Sequence, residues 1–395
     1  MKKILISGPL LSNTGYGVHS RQIFEYAFSN KSANDKVFCN VTNWGNSAWH
    51  LSDDTTSGQF KKILSCHIPE SKMYDIEYDE CYSIDYPKDW LALGKTNIGV
   101  TAGVETDLVP KGWINCVNKM SKVIVPSEFT KNAFVKTSEL NEIKLLKEIH
   151  VIPEYFYESL TDKNLDSFTG YLSGINTEQN LLLIGQITSL DSKCDRKNII
   201  NAIESSARIL SSIENSGLIL KLNAGNNSQL DFVRTKELIK PIIDNLKNEL
   251  KEKSPKIYLL HGNLSEIELK ELYTTKASAL LCLSKGEGFG LTLLEAAACG
   301  CPIIATNYSA YTEFLGDKFS KVEYELDVIP DSKVNNIFIK QARWANYLNK
   351  SLHKTIVNFF NKKSDYINIA KELQDFIIVN YNKQAILDKY KECLK

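Results

Sequence analysis

The chain has 395 residues, 43% hydrophobic and 24% charged, a globular usage that excludes wholesale disorder and collagen-like repeats and makes two domains the natural division. Lys plus Arg and Asp plus Glu both number 47, so global charge gives no support to a nucleic-acid binder. Nine scattered cysteines, with no Cys-x2-Cys pair, read as reduced thiols of a cytoplasmic protein and not as a disulfide framework or a zinc site.

Ile4-Leu5-Ile6 is too short for the apolar region of a signal peptide, and no stretch approaches the ~20 apolar residues of a membrane span. Ile4–Ser7 reads as a short buried strand. Thr14-Gly15-Tyr16-Gly17 reads as a glycine loop after it, and His19–Ala27 as a helix. Asp75-Ile76-Glu77-Tyr78-Asp79-Glu80 reads as a solvated acidic loop. Asn97–Thr101 and Lys122–Pro126 predict further strands, and Ser127 caps a helix over Glu128–Val135. His150–Pro153 closes this series, and the polar stretch Tyr155–Gln179, broken by Gly170 and Gly174, reads as a linker.

A second strand–helix series runs through Leu181–Gly185, Leu218–Leu222, Ile257–Leu260, Ala279–Leu283 and Pro302–Ala305. From about Asn336 the chain reads as helical to its end. The fold class is therefore α/β, with two Rossmann-like domains, residues 1–172 and 173–376, and the cleft between them as the default ligand site.

The most informative stretch is Ser284–Thr306. It follows a strand, and Gly286, Gly288 and Gly290 make a permissive loop. Leu291–Cys299 then reads as a short helix stopped by Gly300 and Pro302. Free N–H groups at that helix start can hold an anion. Glu287 in the loop and Glu295 in the helix are acceptor-only groups able to hold sugar or ribose hydroxyls. Two carboxylates flanking a phosphate-binding loop suggest a nucleotide-sugar.

Glu287-x7-Glu295, within Glu-Gly-Phe-Gly-Leu-Thr-Leu-Leu-Glu-Ala, resembles the signature of the retaining glycosyltransferases of family 4, which have the GT-B fold. The resemblance implies that Glu287 and the backbone of Gly288, Phe289, Gly290, Leu291 and Thr292 face the donor sugar and phosphate. It gives Glu295 the nucleotide ribose. Thr292 stands where Pro is common. Gly185-Gln186 followed by Arg196-Lys197-Asn198 resembles the family's basic element, with Gln186 in the usual place of Arg and Arg196 supplying the charge. Arg196 and Lys197 would then neutralise the leaving diphosphate, with no metal and no cofactor. Gly15-Tyr16-Gly17 matches the N-terminal glycine loop, and Gly262 follows a strand where the family places its base-binding loop. Gly103–Asp107 resembles part of the family's first domain. Glu105 and Asp107 read either as acceptor contacts beside Tyr16 or as ordinary loop carboxylates. Family 4 chains also return their last helix, here 377–395, to the first domain.

The implied activity is metal-independent transfer of a hexosyl or pentosyl group from a nucleoside diphosphate-sugar to an acceptor hydroxyl, on a glycan, lipid, protein or modified nucleic acid. A non-catalytic nucleotide-sugar-binding GT-B protein is the alternative. An NAD-dependent oxidoreductase is less favoured, because Ser20 stands where a dinucleotide fingerprint needs its third glycine.

Overall fold

A strand that is apolar without alternation must be covered on both faces, and the chain meets that demand twice. The structure is a computed structural model that describes residues 1–53, 58–162, 170 and 172–395. One unit comprises Met1–Tyr155, Asn335–Ala342 and Lys383–Lys395; the other comprises Phe156–Val334 and Arg343–Asn382. Part of the expected linker, 163–169 and 171, lies outside the described residues. Its described parts are packed: Phe156, Leu160, Leu172 and Ile175 are buried in the core of the second unit.

The first unit holds a parallel sheet of β1 (Lys3–Gly8), β2 (Lys36–Val41), β3 (Tyr78–Ile84), β4 (Gly94–Val100), β5 (Lys122–Val125) and β6 (Ile149–Val151), in the order β2-β1-β3-β4-β5-β6. The strand order reverses between β1 and β3. The helix after β1 spans Gly15–Asn30, so Gly15-Tyr16-Gly17 forms its first turn and not a preceding loop. Thr14 caps it by accepting from the Gly17 N–H at 3.2 Å. A Cβ on Gly17 would lie 2.0 Å from the Ser12 carbonyl oxygen, so only glycine fits there.

The acidic stretch 75–80 is not wholly a solvated loop, because β3 begins at Tyr78. Neighbouring strands neutralise it. Asp79 receives Lys95 Nζ at 2.8 Å and the Lys3 N–H at 2.9 Å, and Glu80 receives Lys2 at 2.5 Å.

The second unit holds β7 (Gln179–Gln186), β8 (Ser216–Asn223), β9 (Lys256–Leu260), β10 (Ala279–Cys282), β11 (Ile303–Thr306) and β12 (Ser320–Val322), parallel in the order β12-β11-β10-β7-β8-β9. Leu182, Leu280 and Ile303 face one cluster with the helix Leu291–Ala298. Their neighbours Leu181, Leu281 and Ile304 face another with the helix Ile199–Leu210. Both faces are thus dry, as the unbroken apolar runs require. The reversal of order falls between β7 and β10.

The expectation of helix from Asn336 onward fails at its start. Arg343–Tyr347 is β14, antiparallel to β13 (Tyr324–Val328). The intervening Asn335–Ala342 belongs to the first unit, where Ile337 and Phe338 pack on the cluster around Trp113 and Phe134. Helices begin only at Asn349. A five-residue strand carries too few turns of pattern to stand out beside the long helical run that follows it.

The last helix, Lys383–Leu394, returns to the first unit. Ile386 and Tyr390 are fully buried, and the Tyr390 hydroxyl lies 3.0 Å from His19 Nε2. Lys383 reaches Glu25 at 2.8 Å. Replacing Tyr390 by Ala should therefore cost about 3–5 kcal/mol of unfolding free energy, measured by denaturant titration; an unchanged midpoint would show that this helix does not complete the core.

Candidate active site

The geometry of the second unit begins with a buried capping residue. Asp195 accepts from the Ile199 N–H at 2.7 Å, at the start of the helix Ile199–Leu210, and from Thr188 at 2.8 Å. Asn198 takes a left-handed conformation with φ of 57° and donates to the Leu283 carbonyl. The Lys285 N–H donates to the Arg196 carbonyl at 2.8 Å. The loop after β7 is thereby fastened to the end of β10.

This fastening brings three sequence-predicted residues together. Lys197 Nζ lies 2.6 Å from Glu287 Oε1, and Arg196 Nη1 lies 3.2 Å from Glu287 Oε2. Arg196 also donates to the Gly286 carbonyl at 2.8 Å. Burial works against ionisation of Glu287. The charges of Lys197 and Arg196, with hydrogen bonds from Lys197 and Ser284, outweigh it and hold the carboxyl at about 2. Ser309, at a strained φ of 76°, accepts from the Glu287 N–H at 3.0 Å and fixes the loop from its far side.

Gly288 and Phe289 continue this loop, with Phe289 buried against Phe314. Gly290 starts the next helix at a φ of 99°, and a Cβ there would press on Tyr311 at 3.0 Å. Leu293 and Leu294 bond back to the Gly290 carbonyl. The N–H groups of Leu291 and Thr292 have no acceptor among the described residues. Two free donors and the positive end of the dipole thus end the loop that carries Glu287, after β10, where the strand order reverses between β10 and β7. This is where open α/β sheets bind ligands.

Glu295, one turn further, is also buried. Burial first, and the Glu266 charge second, push its carboxyl up to about 8 against a hydrogen bond from Tyr273. Gly262 lies in the loop after β9, two strands from β7, with a φ of 87°. Its neighbour His261 pairs with Asp231 at 3.0 Å. Among the described residues, no group of three or more His, Cys, Asp and Glu side chains is arranged to hold a metal ion. No helix among them is long and apolar enough to cross a membrane.

The remaining predicted residues belong to the first unit. The Tyr16 hydroxyl lies 2.8 Å from Thr101 Oγ1 and accepts from the Ala102 N–H at 3.1 Å, while its ring stacks on Trp44 at 3.9 Å. Glu105 lies near enough to Tyr16 to raise its hydroxyl pKa, behind the larger effects of burial and Tyr86. Asp107 is engaged by Lys136 at 2.9 Å. Gly15 has open space around it. Sequence reasoning passed over Asp85, which follows β3 on the other side of the β1/β3 reversal. Burial pushes its carboxyl up to about 6 despite a bond from the Tyr86 N–H. A polar residue closing a strand is the signal that would have found it, had β3 been read.

Residues 243–325 match the family described as glycosyl transferases group 1. No match is found among curated proteins. Among solved structures, a sucrose-phosphate synthase from Thermosynechococcus elongatus is 14% identical, with 100% of this chain and 98% of that chain covered and a TM-score of 0.64. Anabaena HepE in complex with UDP and glucose is 14% identical, with 100% and 99% covered, at 0.64. A glycosyltransferase from Rickettsia africae is 19% identical, with 99% and 97% covered, at 0.62. The chain has the GT-B α/β architecture, two parallel six-stranded sheets with their helices.

The environment of Glu295 has a measurable consequence. The folded chain keeps a proton there that the unfolded chain, at its usual value of 4.5, has lost. Its contribution to stability is complete below about 4.5 and falls as pH rises toward 8. Glu295→Gln lacks this loss. Its stability relative to the parent should rise from about pH 5 to about pH 8 by on the order of 3 kcal/mol, read by urea denaturation; a difference independent of pH would mean that the folded carboxyl is ionised throughout.

Proposed function

We propose that the chain is a retaining glycosyltransferase that moves a hexosyl or pentosyl group from a nucleoside diphosphate-sugar to an acceptor hydroxyl, without a metal. The observation that carries this reading is the Arg196–Glu287–Lys197 cluster together with the unpaired N–H groups of Leu291 and Thr292 that end the Glu287 loop. The group 1 match over 243–325 contains Glu287 and Glu295 and supports it. So does the likeness to Anabaena HepE, a protein solved in complex with UDP and glucose.

Each residue then has a chemical task. The free N–H groups and the two cations hold the diphosphate, and they gain strength as the bond from the anomeric carbon to the phosphate oxygen breaks and charge collects there. Glu287 is ionised at any working pH and accepts from the sugar hydroxyls, fixing the ring. Glu295 accepts from the ribose. The new bond forms on the face the phosphate leaves, and the acceptor proton passes to the departing phosphate oxygen. We assign Tyr16, Glu105 and Asp85 of the first unit to the acceptor. Nine free thiols suit a reducing cytoplasm, which we assign as its compartment.

The test is a panel of UDP- and GDP-sugars, scored by nucleoside diphosphate release and by NMR of the transferred anomer. Retention, with activity persisting in EDTA, is the expected result. An inverted anomer refutes the mechanism, and nucleotide binding without any turnover makes the chain a binding protein. Replacing the two glutamates by Gln should separate their tasks. At pH 9, above the value near 8 at which Glu295 ionises, Glu295→Gln should weaken free-nucleotide affinity roughly ten- to a hundredfold. Glu287→Gln removes a charge that competes with the diphosphate for Arg196 and Lys197, so it should not weaken that affinity and should lower turnover by about a hundredfold; calorimetry beside steady-state kinetics then gives opposite patterns for the pair.

A further inference from the structure

Cys39 lies in β2 and is fully buried. Cys66 closes the helix Phe60–Ser65 and is partly exposed. The Cys39 N–H donates to the Cys66 carbonyl at 2.7 Å, and the Ile68 N–H donates to the Cys39 carbonyl at 3.0 Å. With standard bond lengths, the first of these bonds holds the two Cα atoms within about 6.6 Å. A disulfide spans about 4.4–6.8 Å.

The two thiols also act on one another and have opposite tendencies. The Cys39 bond lowers the Cys66 thiol to about 7, against burial, with smaller help from Ser65 and the Lys31 charge. Burial pushes the Cys39 thiol up, and its bond to Cys66 adds to that. Cys39 therefore keeps its proton, while Cys66 has the thiolate character that reacts. Cys299 and Cys301 lack this arrangement, since both are buried and burial pushes both thiols up.

We propose that Cys66 and Cys39 are an oxidation site, with Cys66 attacked first by hydrogen peroxide and Cys39 resolving it to a disulfide. The Cys66 thiolate attacks one peroxide oxygen. The S–O bond forms, the O–O bond breaks, and the departing hydroxide takes a proton to become water. The Cys39 sulfur then attacks the Cys66 sulfenic sulfur. The S–S bond forms, the S–O bond breaks, and a second water leaves with the Cys39 proton. Two thiols and one peroxide give one disulfide and two waters. The crosslink ties the middle of β2 to the end of the helix Phe60–Ser65. The intervening chain includes Trp44, whose ring stacks on Tyr16. The proposal does not depend on the reaction assigned above.

The full-length protein, exposed to a small excess of hydrogen peroxide, alkylated with iodoacetamide and digested without reduction, tests it. The expected result is a crosslinked peptide pair joining Cys39 to Cys66, lighter than its two parts by two hydrogens and dissolved by reductant. Before oxidation, Cys66 should alkylate near neutral pH at least several-fold faster than Cys299 or Cys301. Cys66→Ser should abolish the crosslink, and Cys39→Ser should leave a Cys66 sulfenic acid that dimedone captures. Recovery of both residues as alkylated thiols after peroxide, or crosslinks spread over other cysteines, overturns the proposal from the parent protein alone, whether or not the Cys39 variant folds.

Discussion

A carboxylate out of water stays ionised only if cations face it, and this requirement at Glu287 organises one edge of the second sheet. Arg196 and Lys197 meet it from a loop that begins on a different strand. Nothing in a solvated loop would hold those two side chains in place, so the loop itself is nailed down by Asp195 capping the next helix, Asn198 reaching the Leu283 carbonyl and Lys285 meeting the Arg196 carbonyl. Lys285 continues the chain of dependence. Its amine bonds the Ser192 carbonyl at 2.6 Å and lies 5.6 Å from the Trp344 ring, so β14 supports the same loop. Removing one member would leave a buried charge or a buried carbonyl exposed to nothing.

The second carboxylate has the opposite surroundings. Glu295 meets burial and the Glu266 charge, and no cation offsets them in the causes that move it. Two glutamates eight positions apart are thus held at about 2 and about 8. Environments that push two like groups apart let a single loop and helix present one permanent anion and one group that can exchange its proton near neutrality.

Much of this was legible in the residues. Leu181–Gly185 and Ala279–Leu283 are apolar on both faces because both faces are covered, and such runs cannot be mistaken for surface. Glu287, Gly290 and Glu295 stand out because glycines break the pattern between a strand and a helix. The rest was hidden where the explanation lies far along the chain. Tyr78-Asp79-Glu80 looks solvated until Lys2, Lys3 and Lys95 are brought alongside it. Asp85 was lost with that strand. Asp195 and Ser309 are ordinary polar residues whose roles come from partners that only folding supplies. Arg343–Tyr347 makes sense only against Tyr324–Val328.

The first unit is assembled from three separated parts of the chain, and the last of them supplies the buried Ile386 and Tyr390. A ribosome adds these residues only after every strand of the sheet they help to cover. That sheet must wait with its flank uncovered until Lys383–Leu394 has been made. The order of birth and the order of completion are therefore reversed. A stalled or prematurely terminated product would carry an exposed apolar flank on its oldest segment, which is the kind of surface that chaperones and proteases recognise.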